Sequence, residues 1–186
     1  MVEVKDSIRI ENVVASSSLD QTFDLNAIVK GNPGVEYNPE RFPGLVYRIR
    51  KPKTAILIFK TGKMVCTGAK SSREAKRAIK KVVKELKKSG IIIPGKPKTE
   101  IVNIVSSGDL GGMVDLERSA YALGKTMYEP EQFPGLIYRV DKPKVVFLIF
   151  SSGKIVCTGA RKEEDVYETV QTLLQDLKKN ELIFYS

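Results

Sequence analysis

The sequence predicts an α+β protein made of two copies of one unit, and three observations carry that prediction. Residues Asn12 to Lys88 align without a gap onto Asn103 to Lys179 at an offset of 91, with 31 of 77 positions identical. Each copy holds short apolar, β-branched runs joined by a tight turn, which is a hairpin pattern. Each copy then closes on one long amphipathic helix pattern.

The elements of the first copy follow in order. Ile8 to Ala15 is mostly β-branched and apolar and reads as a strand. Asp24 stands where an N-cap belongs, because its carboxylate can accept from unpaired first-turn N–H groups, so a short helix is expected through Val29. Val46 to Arg50, Thr54 to Phe59 and Lys63 to Ala69 read as three further strands. The last two are joined by Lys60-Thr61-Gly62 and must therefore run antiparallel. Ala75, Ala78, Ile79, Val82, Val83 and Leu86 then recur at helical spacing, and Val166, Thr169, Val170, Leu173, Leu174 and Leu177 repeat them in the second copy. Ile93-Pro94-Gly95-Lys96-Pro97-Lys98 punctuates the join, which sets the expected domains at 1–93 and 94–186.

Composition excludes most chemistry. The chain has 186 residues, 31 Lys plus Arg against 22 Asp plus Glu, a formal charge of +9, two Cys and no His. Without imidazole there is no Ser-His-Asp triad, no Cys-His pair and no His-Cys zinc cluster, and no clustered carboxylate or lysine set replaces them. The expectation is a protein that is not an enzyme and takes no cofactor or metal. No secretion signal and no apolar run of about 18 residues is evident, so a cytoplasmic protein without membrane contact is expected. The basic balance points to an acidic partner, of which nucleic acid is the commonest. Residues 1–91 carry 19 basic and 9 acidic side chains, a net of +10, and residues 92–186 carry 12 and 13, a net of −1.

The strands leave one apolar face without a cover. Ala55 to Phe59 and Val146 to Phe150 are apolar on both parities, as in strands buried on two sides, yet each copy has helices enough for only one side. If Ile56, Ile58, Met64 and Cys66 face the helices, the opposite parity holds Leu57, Phe59, Val65 and Thr67 with Asn12 and Val14. The second copy supplies Leu148, Phe150, Val156, Thr158, Asn103 and Val105. Such a face is either a binding surface or one half of a sandwich between copies or molecules. Cys66 and Cys157 fall on the helix-facing parity of separate copies, so two buried thiols are expected rather than a disulfide.

Several blocks resemble a known family. Tyr37-Asn38-Pro39-Glu40-Arg41-Phe42, Gly62-Lys63-Met64-Val65, Thr67-Gly68-Ala69, Tyr128-Glu129-Pro130-Glu131, Phe133-Pro134-Gly135-Leu136-Ile137-Tyr138-Arg139 and Leu148-Ile149-Phe150 are similar to the TATA-box-binding proteins in their short archaeal form. The resemblance runs over nearly the whole chain. It implies one curved antiparallel sheet shared by two pseudo-twofold repeats, a saddle with four helices on its convex side and the minor groove of A·T-rich DNA beneath. It implies that Phe42 with Phe59 and Phe133 with Phe150 intercalate. Asn12, Val14, Leu57, Val65 and Thr67, with Asn103, Val105, Leu148, Val156 and Thr158, correspond to its base contacts, and Arg48, Lys63, Arg139 and Lys154 to its phosphate contacts. Glu129, Glu131 and Gln132 lie in the loop that in this family meets the B-type initiation factor, although eukaryotic members usually have an apolar residue where Gln132 stands.

The resemblance therefore implies a transcription initiation factor that recruits the B-type factor and RNA polymerase to double-stranded promoter DNA, nucleoid-associated in an archaeal cell. It would be a monomer on DNA, with a homodimer of the free protein left open. The residues alone leave a rival, a duplicated adaptor whose apolar face takes a protein or hydrophobic ligand. The basic helix Arg73 to Lys88 is not repeated in charge, since Glu163, Glu164, Asp165 and Glu168 stand in the second copy. The resemblance places it on the convex back, and it is expected there to bind other partners or attract flanking DNA.

Overall fold

The computed structural model describes residues 3–186. In chain order its elements are α1 (Val4–Ser7), β1 (Arg9–Ser18), α2 (Leu25–Gly31), β2 (Leu45–Ile49), β3 (Thr54–Ile58), β4 (Lys63–Ala69) and α3 (Ser72–Lys88). They continue with β5 (Lys98–Asp109), β6 (Met113–Val114), α4 (Leu116–Ala122), β7 (Thr126–Met127), β8 (Leu136–Asp141), β9 (Lys144–Ile149), β10 (Lys154–Ala160), α5 (Glu163–Lys179) and β11 (Ile183–Phe184). The α+β class and the twofold repeat of elements follow directly from this order. Contacts gather into two compact units, Asn12–Val102 and, among the described residues, 3–11 with Asn103–Ser186. The cuts fall inside β1 and β5.

In the first unit the strands hydrogen-bond in the order β2-β3-β4-β1, and in the second in the order β5-β10-β9-β8-β7. The recorded pairings are antiparallel. One residue row of the first unit runs Val46, Leu57, Val65 and Ser16. Its counterpart in the second runs Ile137, Leu148, Val156 and Ser107. The expected hairpins are present, and Gly62 and Gly153 close them at φ near +92° and +93°. A β-carbon at either glycine would run into a backbone carbonyl, of Gln21 or of Gly112, so both the angle and the space call for glycine.

Helix starts obey local chemistry. Asp24 Oδ1 accepts from the N–H groups of Asn26 and Ala27, and Asp115 Oδ1 from that of Arg118. Ser71 Oγ accepts from Glu74 N–H at 3.0 Å and begins α3. The start of α5 has no side-chain cap, but Glu163, Glu164 and Asp165 fill its first turn, where negative charge meets the positive end of the helix dipole. The acidic start of the second long helix thus has a local cause.

Burial separates the two sheet faces by parity. Ile56, Ile58, Met64 and Cys66 are fully buried, with Ala75, Ala78, Ile79, Val82 and Leu86 of α3. Phe147, Ile149, Ile155 and Cys157 repeat them beside Val166, Val170, Leu173 and Leu177 of α5. On the other parity the apolar residues such as Leu57, Val65, Leu148 and Val156 are half-buried, and the cations Arg48, Lys63, Arg139 and Lys154 are exposed. Among the described residues five helices are present where the resemblance implies four. The additional one is the four-residue α1, which Ser7 ties down by donating to Val4 O and accepting from Asp109 N–H.

Substitution of neighbours on β9 should expose this division. Phe147→Ala empties a fully buried site and should lower stability by about 3–5 kcal/mol in denaturant unfolding. Leu148→Ala, on the half-buried face, should cost less than half as much. Equal losses would contradict the parity.

Candidate nucleic-acid interface

At the centre of each open face sits an asparagine held by a β-bulge. The register of β1 against β4 slips between Val13 and Ala15, and Gly68 in β4 takes φ +95°. Its freed N–H donates to Asn12 Oδ1 at 2.7 Å, and Asn12 Nδ2 donates to Thr67 Oγ1 at 3.2 Å. The second unit repeats the device. Gly159, at φ +102°, donates to Asn103 Oδ1 at 2.7 Å, and Asn103 Nδ2 donates to Thr158 Oγ1 at 3.2 Å. A glycine N–H demands an oxygen, so the amide orientation is decided by the backbone. Each amide keeps one further N–H donor for an acceptor outside the protein.

Around the asparagines the surface is apolar. Val14, Leu57 and Val65 in the first unit, and Val105, Leu148 and Val156 in the second, are half-buried on the same parity. The register adds residues that the sequence reading passes over: Val46, Ala55 and Ser16, and their counterparts Ile137, Val146 and Ser107. Alternation along β2 and β8 was the available signal, and the large apolar residues on both parities obscured it.

The four phenylalanines stand in two pairs. Phe42 and Phe59 meet edge to face with centroids 5.8 Å apart at 74°, and Phe133 and Phe150 at 5.9 Å and 72°. Phe59 and Phe150 open the hairpin turns, donating their N–H to the carbonyls of Lys63 and Lys154. Phe42 and Phe133 close short turns, donating to the carbonyls of Asn38 and Glu129. Phe42 is 40% and Phe133 37% exposed, so each pair presents one ring to solvent against a more sheltered one. Such an edge-to-face pair contributes about 0.5–1.5 kcal/mol beyond its buried area. The rings approach because Gly44 and Gly135 leave room. A β-carbon would stand 2.8 Å from Phe42 Cε1 at Gly44 and 2.9 Å from Phe133 Cε1 at Gly135. These two supporting glycines are invisible to spacing alone, since their requirement is a contact with rings elsewhere in the chain.

The charged positions lie at the margins. Arg48 is exposed, on the row of Ala55 and Thr67, and its guanidinium pairs loosely with Glu36 at 3.5 Å. Arg139 occupies the corresponding row with Val146 and Thr158. Lys63 and Lys154 are exposed at the starts of β4 and β10. Glu129, Glu131 and Gln132 are exposed in the turn before Phe133. The cations of α3 at Lys76, Arg77, Lys80, Lys81, Lys84, Lys87 and Lys88 are exposed on the helix face turned from its buried residues. Among the described residues no group of three His, Cys, Asp or Glu side chains could hold a metal ion, and no helix is long and apolar enough to cross a membrane.

Comparison with known proteins agrees with this geometry. A family model described as transcription factor TFIID, or TATA-binding protein, matches residues 7–89 and again 98–180. The chain belongs to the TATA-binding protein family. It is 60% identical over 177 residues to the TATA-box-binding protein of Pyrodictium occultum, covering 95% of this chain and 89% of that protein. It is 52% identical to that of Sulfolobus acidocaldarius over 176 residues, with 95% and 89% covered. The solved structure of the Methanococcus jannaschii member superposes with a TM-score of 0.84 at 48% identity, covering 93% of this chain and 99% of that one.

Both thiols sit under the interface on the helix side. Burial pushes Cys66 up to about 11, with the Glu74 carboxylate adding and a Thr54 hydrogen bond opposing, and pushes Cys157 up to about 12. The thiolate is disfavoured in the folded state, so the stability these groups confer is full below about pH 9 and is lost as pH rises through 11 to 12. Native protein at pH 8 should therefore leave both cysteines unlabelled by a thiol reagent, and both should react once unfolded. Rapid labelling of either in the native protein would refute their burial.

Proposed function

We propose that this member of the family is a general transcription initiation factor that binds the minor groove of A·T-rich, TATA-like promoter DNA and bends it. The observation that carries the reading is the amide pair, Asn12 and Asn103, each with its oxygen committed to a bulge N–H, one donor given to a threonine hydroxyl and one donor left among apolar neighbours. Adenine N3 and thymine O2 are the minor-groove acceptors such donors suit. The aliphatic neighbours Val14, Leu57, Val65, Val105, Leu148 and Val156 offer no acceptor to the guanine amino group, which would be buried unpaired at a cost of about 1–3 kcal/mol. Thr67 and Thr158 brace the amides and lie within the same contact surface. The repeats 1–93 and 94–186 each contribute one such surface.

The paired phenylalanines supply wedges. Unstacking a base step costs a few kcal/mol, a general magnitude for minor-groove benders, this family among them. Burial of the rings offsets it, together with the additional contact a bend allows. Arg48, Lys63, Arg139 and Lys154 at the margins reach phosphates, which sets register without reading sequence. In this reading Glu129, Glu131 and Gln132 receive the B-type initiation factor, through which RNA polymerase is recruited. The protein acts as a monomer on DNA and resides with the nucleoid in the cytoplasm. It performs no catalysis of its own.

A gel shift in moderate salt tests the reading. A TATA-like duplex should be retarded, and a G·C-substituted duplex should bind at least tenfold more weakly, since one mismatched pair typically costs about 1–3 kcal/mol. Equal binding, or none, would overturn it in favour of an adaptor role. Gly135→Val, which crowds Phe133 and Phe150, should reduce the bend measured by fluorescence transfer between labelled DNA ends and weaken binding along with it. Reversing four α3 lysines should leave the bend intact and change affinity less than Phe133→Ala with Phe150→Ala does. If the helix variant abolished binding as completely, the basic helix and not the sheet would be the DNA site.

A further inference from the structure

The repeat lets a side chain in one unit be compared with its counterpart in the other, and at one place the two differ in kind. In the first unit Lys81 on α3 reaches the turn before β3, where its Nζ donates to the Lys51 carbonyl at 2.8 Å. Arg77 stands one helical turn before it and Glu85 one turn after. The corresponding positions of α5 are Glu168, Thr172 and Asp176. Thr172 is too short to span the gap, and its hydroxyl donates back to the Glu168 carbonyl at 3.0 Å. A notch of about 170 Å³ remains, lined by Tyr138, Lys142, Phe147, Glu168, Thr172 and Asp176 among others. The rings of Tyr138 and Phe147 stack at 6.3 Å and 19° along one wall. Among the described residues, neither Glu168 nor Asp176 has a cation within 4.0 Å, although Lys142 lines the same rim.

We propose that this notch binds a primary alkylammonium group from outside the chain, in the place Lys81 Nζ takes in the first unit. The chemistry of the lining matches that guest. An ammonium has three N–H donors and no acceptor, and the notch is lined by Glu168 and Asp176 together with Lys142, whose counterpart Lys51 supplies the carbonyl that Lys81 uses. The methylene stem packs on the half-buried Tyr138 ring, whose face also attracts the cation. Burial, and then the Asp176 carboxylate, push the Tyr138 hydroxyl above its ordinary range, so it stays neutral and adds no competing charge. A free linear polyamine and a lysine side chain of another protein share this chemistry.

Titration of the full chain without DNA, followed by calorimetry and by the NMR signals of Tyr138 and α5, tests the proposal. The probe 1,4-diaminobutane should bind and shift those signals, and tetramethylammonium, equal in charge per nitrogen but without N–H donors, should bind at least tenfold more weakly. Thr172→Lys places the first unit's own ammonium in the notch and should abolish diamine binding. Asp176→Asn, which keeps shape and removes charge, should weaken it about tenfold, as expected for loss of a charge-assisted hydrogen bond. Nα-acetyl-lysine methylamide tested beside the diamine separates the sources: tighter diamine binding identifies a free polyamine, and tighter lysine binding a protein partner. Absence of binding by both probes, or unchanged binding in Thr172→Lys, would overturn the proposal. Both variants lie on the helix side and should retain duplex binding in the gel shift, which verifies their folding and keeps this test separate from that of the DNA reading.

Discussion

The paired strands of each unit have two faces, and each unit has helices to cover one. An antiparallel strand turns successive side chains to opposite sides, so once α3 and α5 bury Ile56, Met64 and Cys66 or Phe147, Ile155 and Cys157, the alternate residues must face outward. Those alternate residues are Leu57, Val65, Leu148 and Val156 rather than lysines and glutamates. A surface of that kind is maintained against the ordinary tendency to bury apolar groups, and the proposed groove contact gives it a cover. The central bulges depend on the same alternation. They insert one residue where the asparagine oxygen takes the freed glycine N–H, and so convert a backbone irregularity into a fixed donor.

Duplication preserved one face and released the other. The residues repeated on the open parity are the asparagines, threonines, phenylalanines and most of the aliphatic residues between them. On the helix side the copies diverged in charge, as Arg77 and Lys81 against Glu168 and Thr172 illustrate. Part of that divergence answers to local electrostatics, since the acidic first turn of α5 serves a helix with no side-chain cap. The rest is free to serve contacts that need not be twofold. The proposed groove contact asks for the same open face in both copies, whereas the charges on the backs of the long helices are not repeated.

Much of the site was legible because strand alternation and helix periodicity are local. Leu57, Phe59, Val65 and Thr67 could be placed on one face from spacing alone, and the second copy supplied an independent reading of the same pattern. Asp24 as a cap and Gly62 as a hairpin closer were legible for the same reason. The two-residue strands β6, β7 and β11 and the four-residue α1 were not, since none is long enough to show a period. Gly44 and Gly135 were also missed. Their need is steric, set by rings that only the fold brings beside them.

The sequence by itself determined which residues share a face, that the unit occurs twice, and that imidazole chemistry is absent, all consequences of covalent order and local backbone geometry. Tertiary structure decided how those residues meet. The pairing of Phe42 with Phe59, the turning of the Asn12 amide by Gly68, and the notch left where Thr172 stands in place of a lysine each join positions at least 17 residues apart. Such contacts depend on strand register and on one inserted bulge residue, and a shift of one position would carry every side chain involved to the opposite face.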